Sequence, residues 1–204
     1  MSRLLLVRHG ITEFNSNRRF AGYSDMELSA TGCKQVERLR KHLAKENVDT
    51  VYSSDLKRAL MTAEVICSGP RKDIIACPEL REVNYGDAEG LTFQEISRLY
   101  PEVAELIANF SLQIKFPGGE SFRGFIERTV KFLDRLKEHA PPETLLIVSH
   151  SGPLKVLVCH LLGIDQKHWR QIRIDNASLS IIETYPQGAI INLLNDTSHL
   201  KEAD

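Results

Sequence analysis

Apolar residues fall along the chain in two rhythms: short solid blocks, and longer stretches where they return every three or four positions. RLLLV at 3–7 and TLLIVSH at 144–150 are nearly unbroken, as expected of strands covered on both faces. VDTVYSS at 48–54 and DIIACP at 73–78 read as two more strands. Between them lie helical patterns. In LSATGCKQVERLRKHLAKEN, Val36, Leu39 and Leu43 share a face, and Ser29 or Thr31 can cap the start. DLKRALMTAEVICSG predicts a helix from about Asp55, with an acidic first turn and Gly69 near its end. A short helix near 92–100 leads to another over 101–110, with Pro101 in its first position.

KFPGGESFRGFIERTVKFLDRLKEHAPPE predicts a Gly-Gly loop, a long amphipathic helix and a double-proline stop. Phe122, Phe125, Ile126, Val130, Leu133 and Leu136 mark its expected apolar side. SGPLKVLVCHLLGI is a helix with Pro153 in its first turn. LSIIETY and AIINLLN form a hairpin around PQG. Strands alternate with helices through residue 163, which predicts a three-layer α/β/α sandwich with a mostly parallel sheet and at least one antiparallel strand at the edge. No repeat or interdomain linker interrupts it, and 204 residues suit one domain spanning 1–204. Residues 78–120 are expected to form a cap-like insertion.

Composition narrows the partners. Lys+Arg 26 against Asp+Glu 27 leaves a net charge of -1, which argues against a general nucleic-acid or membrane surface while allowing a local positive cluster. No apolar run is long enough to span a bilayer, and Arg3 and Arg8 bracket a short apolar segment unlike a secretion signal. Cys33, Cys67, Cys77 and Cys159 lack CxxC spacing, so a cytoplasmic chain with reduced thiols is expected, Cys67 and Cys159 being buried in helices. A homodimer, with Trp169 or the late hairpin at its interface, stays open.

The polar residues gather at strand ends. The first strand closes on Arg8-His9-Gly10, the second on Ser53-Ser54 with Arg58 soon after, and TLLIVSH on His150 before Ser151-Gly152; Glu82 follows the third. Parallel strands would bring Arg8, His9, Arg58, Glu82 and His150 to one edge, where α/β sheets bind ligands. Helix starts at 55 and 152 would add N–H donors that favour an anion. Such a pocket suits a phosphate-sized dianion. His9 can attack phosphorus and become a phosphohistidine, with Gly10 leaving room beside it. Arg8 and Arg58 can hold the nonbridging oxygens, and His150 can donate another hydrogen bond. Glu82 can protonate the leaving oxygen and then activate water. No metal and no cofactor are required. Each residue also has a plain alternative: Arg58 as a solvated helix residue, His150 as a structural histidine, Glu82 as a surface carboxylate. His42, His139, His160, His168 and His199 lack metal-type spacing with any carboxylate and read as surface or packing residues. GGE at 118–120 lacks the Lys-Ser/Thr of a P-loop and reads as a lip over the pocket or a helix start.

LVRHGITEFN, YSSDLKRALMTAE, LREVNYGDAEG and IVSHSGPLKVL stand in an order and spacing that resemble the histidine phosphatase superfamily, the phosphoglycerate mutase-like family, over nearly the whole chain. The resemblance implies His9 as the phosphorylated nucleophile, Glu82 as proton donor, and Arg8, Arg58 and His150 around the phosphate. Asn15 matches a phosphoryl-contacting position, and Ser151 is carried with it as a substrate-binding residue. Glu89-Gly90 matches the family's acid-loop pair, with Ala88 where an aromatic residue is common. PGGESFRGFIERTVKFLDRL and SHSGPLKVLVCHLLGIDQKHWRQIRIDNASLSIIE are also similar to the alpha-ribazole-5'-phosphate phosphatase branch. The expectation is therefore a metal-independent phosphomonoesterase acting on a small phosphate ester, alpha-ribazole 5'-phosphate in cobalamin biosynthesis first among them. A broad-specificity phosphatase, a phosphoglycerate mutase-type phosphotransferase and a noncatalytic phospholigand-binding protein are the alternatives. Residues 20–25, the loop after 82 and residues 105–120 are expected to set selectivity.

Overall fold

The structure, a computed structural model, describes residues 2–68, 73–139 and 142–201. Gly69 and Pro141, expected at two helix ends, lie outside the described residues. Among the described residues, six strands make one sheet: β1 (Ser2–Arg8), β2 (Thr50–Ser53), β3 (Ile74–Ala76), β4 (Thr144–Ser149), β5 (Leu179–Tyr185) and β6 (Gly188–Asp196). Their order is β3-β2-β4-β1-β5-β6. The first four in that order are parallel, and the β5–β6 hairpin is antiparallel, with β5 paired to β1. The α/β sandwich is therefore mostly parallel with an antiparallel edge.

Side chains on a strand alternate between faces, and β1 feeds both layers in this way. Leu4 and Leu6 pack with Phe132, Leu154, Leu157 and Val158 on one side. Leu5 and Val7 pack with Leu39, Ala59 and Ala63 on the other. The first face is covered by α6 (Phe122–Leu136) and α7 (Ser151–Leu161), the second by α2 (Ala30–His42) and α3 (Lys57–Ile66).

Three sequence expectations shift locally. Residues 8–30 are polar and turn-rich and predict a long loop, but they contain a one-turn helix α1 (Glu13–Ser16), held by a reciprocal cap between Thr12 and Asn15. Helix α3 begins at Lys57, and its first turn is not acidic, because Asp55 turns away to a two-pronged ion pair with Arg81 at 2.5 and 2.7 Å. The inner face of α6 runs through Phe122, Phe125, Thr129 and Phe132, while Ile126, Val130, Leu133 and Leu136 flank it half-buried. The 3-4-3 spacing selects that face, and truncating Phe132, fully buried under the sheet, would cost about 3–5 kcal/mol. Among the cysteines, Cys159 is buried as expected; Cys67 is only half-buried because it ends α3, and Cys77 is buried instead.

A third apolar cluster lies apart from the sheet. Val83, Ala88, Ile96, Ala104, Ile107, Ile114 and Phe116 pack on Phe122, Phe125 and Val156. This stretch carries α4 (Phe93–Leu99), capped reciprocally by Thr92 and Glu95, and α5 (Pro101–Ala108), opened by its proline. Gly118 and Gly119 lie in the turn before α6, whose N-cap is Ser121. A side chain at Gly86 would strike Pro117 O and Gly119 N at 2.2 and 2.3 Å, so the two loops meet backbone to backbone.

Candidate active site

Strand register assembles the polar end of the site. Arg8 pairs with Ser149 across β1–β4, and Ser53 with Val148 across β2–β4. The residues that follow, His9, His150 and Ser54, therefore emerge together at the carboxyl edge, where parallel strands leave their ligand crevice. The His9 and His150 rings stand 4.9 Å apart at 59°.

His9 Nδ1 lies 2.7 Å from Gly10 O. A carbonyl only accepts, so Nδ1 carries the hydrogen and Nε2 keeps the lone pair. Burial, then the charges of Arg58 and Arg8, push the imidazole's pKa well below its ordinary value. Both effects favour a neutral ring. Gly10 is demanded from behind: a side chain there would meet Gly32 O and Val36 at 2.8 Å, so its small size serves α2 packing rather than space for a ligand.

A cavity opens over this edge, lined by Arg8, His9, Asn15, Glu82 and Ser151 among the expected residues, and by Arg18, Arg19, Phe20 and Tyr85 besides. Arg8 Nη1 donates to Ile174 O at 2.9 Å, while its buried Nε has no partner among the described residues. Asn15 Oδ1 accepts from Thr12 N at 3.1 Å and Asn176 Nδ2 at 3.2 Å, which leaves its amide nitrogen as the donor end.

Arg58 and His150 sit behind this wall. Arg58 is fully buried and donates to Ser24 O at 2.9 Å, to Ala21 O and Gly22 O at 3.1 and 2.6 Å, and from Nε to His150 Nδ1 at 3.2 Å. Four of its five N–H groups are thus committed to protein. His150, accepting at Nδ1, donates from Nε2 to Ser54 Oγ at 2.8 Å. Burial first, then Arg58, lowers its pKa well below the usual range. In this arrangement both ring nitrogens are engaged, and the pair braces the 21–24 loop. Glu89 grips the same loop, accepting from Gly22 N, Tyr23 N and Ser24 Oγ at 2.9, 2.7 and 2.7 Å. Sequence reading noted Glu89 by resemblance without this role.

Both helix starts expected to meet an anion already hold carboxylates. Lys57 N donates to Asp25 at 2.8 Å, and Gly152 N to Glu82 Oε2 at 3.1 Å. Glu82, 8 % exposed, also accepts from Val83 N at 3.0 Å, and a side chain at Gly152 would run into its Oε1 at 2.2 Å. The glycine is therefore the reason the carboxylate can lie on the start of α7.

A second cavity of about 260 Å³ adjoins the first through Phe20, Glu82, Tyr85 and Ser151. Ile107, Ile114, Phe116, Phe122 and Trp169 make it mainly apolar, with Lys155 and Arg170 also on its wall. The Trp169 and Phe122 rings pack with centroids 4.6 Å apart and planes tilted by 38°, and Lys155 Nζ sits 5.5 Å over the Trp169 ring. The 20–25, post-82 and 105–120 segments each contribute lining residues, while Lys155 and Arg170 belong to none of the segments expected to set selectivity. Their only sequence signal is position, one turn after Ser151 and one residue after Trp169.

Residues 4–197 match the sequence profile of the histidine phosphatase superfamily (branch 1). The chain belongs to that superfamily. Phosphoserine phosphatase 1 of Hydrogenobacter thermophilus is 34% identical, over 99% of this chain and 96% of its own. The adenosylcobalamin/alpha-ribazole phosphatase of Escherichia coli is 30% identical, over 95% of each chain. The crystal structure of the alpha-ribazole phosphatase from Shigella flexneri superposes with a TM-score of 0.90 at 30% identity, covering 96% of each chain. This histidine phosphatase is a phosphoric monoester hydrolase. Among its described residues, no helix is long and apolar enough to cross a membrane.

Proposed function

We propose that this histidine phosphatase hydrolyses small phosphomonoesters through a phosphohistidine on His9, with alpha-ribazole 5'-phosphate as preferred substrate. The observation that carries the mechanism is the Nδ1–H to Gly10 O bond, which keeps the Nε2 lone pair of a cavity-lining ring free. Nε2 attacks phosphorus while the ester P–O bond breaks and Glu82 delivers its proton to the leaving oxygen. Water then attacks phosphorus, the P–N bond breaks, and Glu82 takes the proton from water. Arg8, through its unpartnered Nε, Asn15 and Ser151 hold the phosphoryl oxygens. Arg58 and His150 shape the floor beneath, Arg58 keeping one N–H for the anion. Protein cations supply the charge, so the reaction needs no metal.

The aromatic second cavity supports a large heteroaromatic leaving group such as the ribazole nucleoside. We read residues 78–120 as its cap, since Glu82, Val83, Tyr85, Ile107, Ile114 and Phe116 all line it. A second reading, a carboxylate-bearing ester such as O-phosphoserine, is favoured by Lys155 and Arg170 on the same wall. Phosphate release in EDTA from alpha-ribazole 5'-phosphate, O-phosphoserine, 3-phosphoglycerate and p-nitrophenyl phosphate separates them. A kcat/KM led by the ribazole ester upholds the first reading; one led by phosphoserine replaces it. His9→Ala is expected to fold and to lose at least about 10³-fold in kcat. An acid-labile phosphoryl label on wild-type chain, absent from His9→Ala, identifies the nucleophile. Turnover within tenfold of wild type in His9→Ala would remove the mechanism.

A further inference from the structure

The last turn of α2, the end of β6 and the short 3-10 turn Ser198–Leu200 converge away from the cavities. They bring His42 beside Asp196 and His199, which lie three residues apart in the sequence. One donor atom from each of His42, Asp196 and His199 lies within 4.8 Å of the others. His42 Nε2 is 3.6 Å from Asp196 Oδ2, and the two imidazoles stack with centroids 5.1 Å apart.

The hydrogen bonds show which atoms are ready to bind. His199 Nε2 lies 2.9 Å from Ala177 O, so it carries the hydrogen and Nδ1 carries the lone pair. That Nδ1 is buried and has no hydrogen-bond partner among the described residues. A backbone carbonyl fixing the tautomer through the far nitrogen is the outer support that metal-binding histidines commonly have. Asp196 is held in the same manner: Ser198 N and Ser198 Oγ each donate to it at 3.0 Å.

We propose that His42, Asp196 and His199 bind a borderline divalent transition ion, Zn²⁺ or its near equivalents Co²⁺ and Ni²⁺. Two imidazoles and one carboxylate suit such an ion and not Mg²⁺ or Ca²⁺, which want oxygen. Bonds of about 2.0–2.1 Å in a tetrahedral site place ligand atoms about 3.3 Å apart, close to the His42–Asp196 spacing. His42 is exposed and closes the rest of the gap by turning about its side-chain bonds. Water takes the fourth position. The ion is structural. It ties α2, β6 and the 198–200 turn to Ala177, whose N–H reaches the Arg8 and His9 carbonyls at 3.1 Å. It therefore tightens the support behind His9 without touching the phosphoryl pocket.

The test is a Co²⁺ titration of tag-free chain, followed by visible absorption. One ion per chain is expected, displaced by Zn²⁺, with Zn²⁺ also raising Tm. His42→Ala and Asp196→Asn should each weaken Co²⁺ binding by more than about tenfold. His9→Ala should leave the band unchanged. His42→Ala should keep the wild-type phosphatase rate in EDTA. Absence of saturable Co²⁺ binding, equal affinity in His42→Ala, or loss of the band in His9→Ala would each overturn the site. Because His42 is exposed at the helix end, its variant carries the test even where Asp196→Asn misfolds.

Discussion

The two ends of the double cavity follow opposite rules. At the sheet edge, polar and charged groups are buried and mostly spoken for: Arg58 is wholly buried with four bonds to protein. At the far wall, aromatic rings from segments distant in sequence meet around open space. The first end is rigid because an unsatisfied buried charge is expensive. The second is held by ring and aliphatic contacts that are individually small. Under the proposed mechanism, reaction type is set at the first end and leaving-group choice at the second.

Removing the acid should break the reactive end most sharply. Glu82→Gln keeps the size of the side chain but cannot donate the proton. It is expected to slow alkyl phosphates about 10²–10⁴-fold and p-nitrophenyl phosphate much less, since that leaving group departs unaided. Gly152→Ala should imitate it, because the added methyl lands 2.2 Å from Glu82 Oε1. Equal losses on both esters would take the acid role from Glu82. A Gly152→Ala chain with wild-type kcat would show that the carboxylate can work from elsewhere.

The two arginines divide the reactive end further. Arg58→Met leaves the carbonyls of Ala21, Gly22 and Ser24 without their donor, and should cost about 3 kcal/mol in urea unfolding. Arg8→Met removes one bond to Ile174 O and the free Nε. It should lower kcat/KM about 10²-fold or more while moving stability by about 1 kcal/mol or less. A reversal of that pattern would make Arg58 the phosphate ligand and Arg8 the brace.

Acid should find the reactive end before the aromatic one. His9 and His150 have depressed pKa values in the fold, chiefly from burial and then from neighbouring arginines. Unfolded, each takes a proton below about pH 6.5; folded, each resists until lower pH. The unfolded chain therefore binds more protons as pH falls from about 6.5, and stability falls with it. The urea midpoint should drop between pH 7.5 and 5.5, and by less in His9→Ala. Identical drops would mean His9 is not held neutral by the fold. For the same reason, His9 should impose no acid limb on kcat/KM in the ordinary imidazole range.

The sequence makes these two ends legible to different degrees. Arg8, His9 and His150 are readable because each follows an apolar block, and parallel register forces block ends together. The commitment of Arg58 to the 21–24 carbonyls is not readable, since a backbone acceptor has no letter of its own. Nor is the capture of the α7 N-terminus by Glu82, which depends on a missing Cβ at Gly152. The one-turn α1 is too short for periodicity, and only its cap marks it. The far wall is harder still: Lys155, Trp169 and Phe122 meet through three separate segments, and no spacing rule links them. His42 is likewise out of sequence reach of Asp196 and His199, and only the fold brings the three together.

The smallest expected effect bears on the aromatic end. Trp169 contributes a ring packed at a tilt against Phe122, and Lys155 a cation above the Trp169 ring. Its loss removes apolar contact from a large leaving group, worth about 1–3 kcal/mol, without disturbing the sheet edge. Trp169→Ala should therefore lower kcat/KM for alpha-ribazole 5'-phosphate about tenfold and change O-phosphoserine by about twofold or less. Lys155→Met should do the reverse, because it removes charge and keeps the apolar stem. If both variants damage both esters equally, the far wall is one packed unit and selectivity is not divided along it. If neither variant changes either ester, the leaving group lies outside this cavity, and Arg18 and Arg19, which line the first, become the residues to alter.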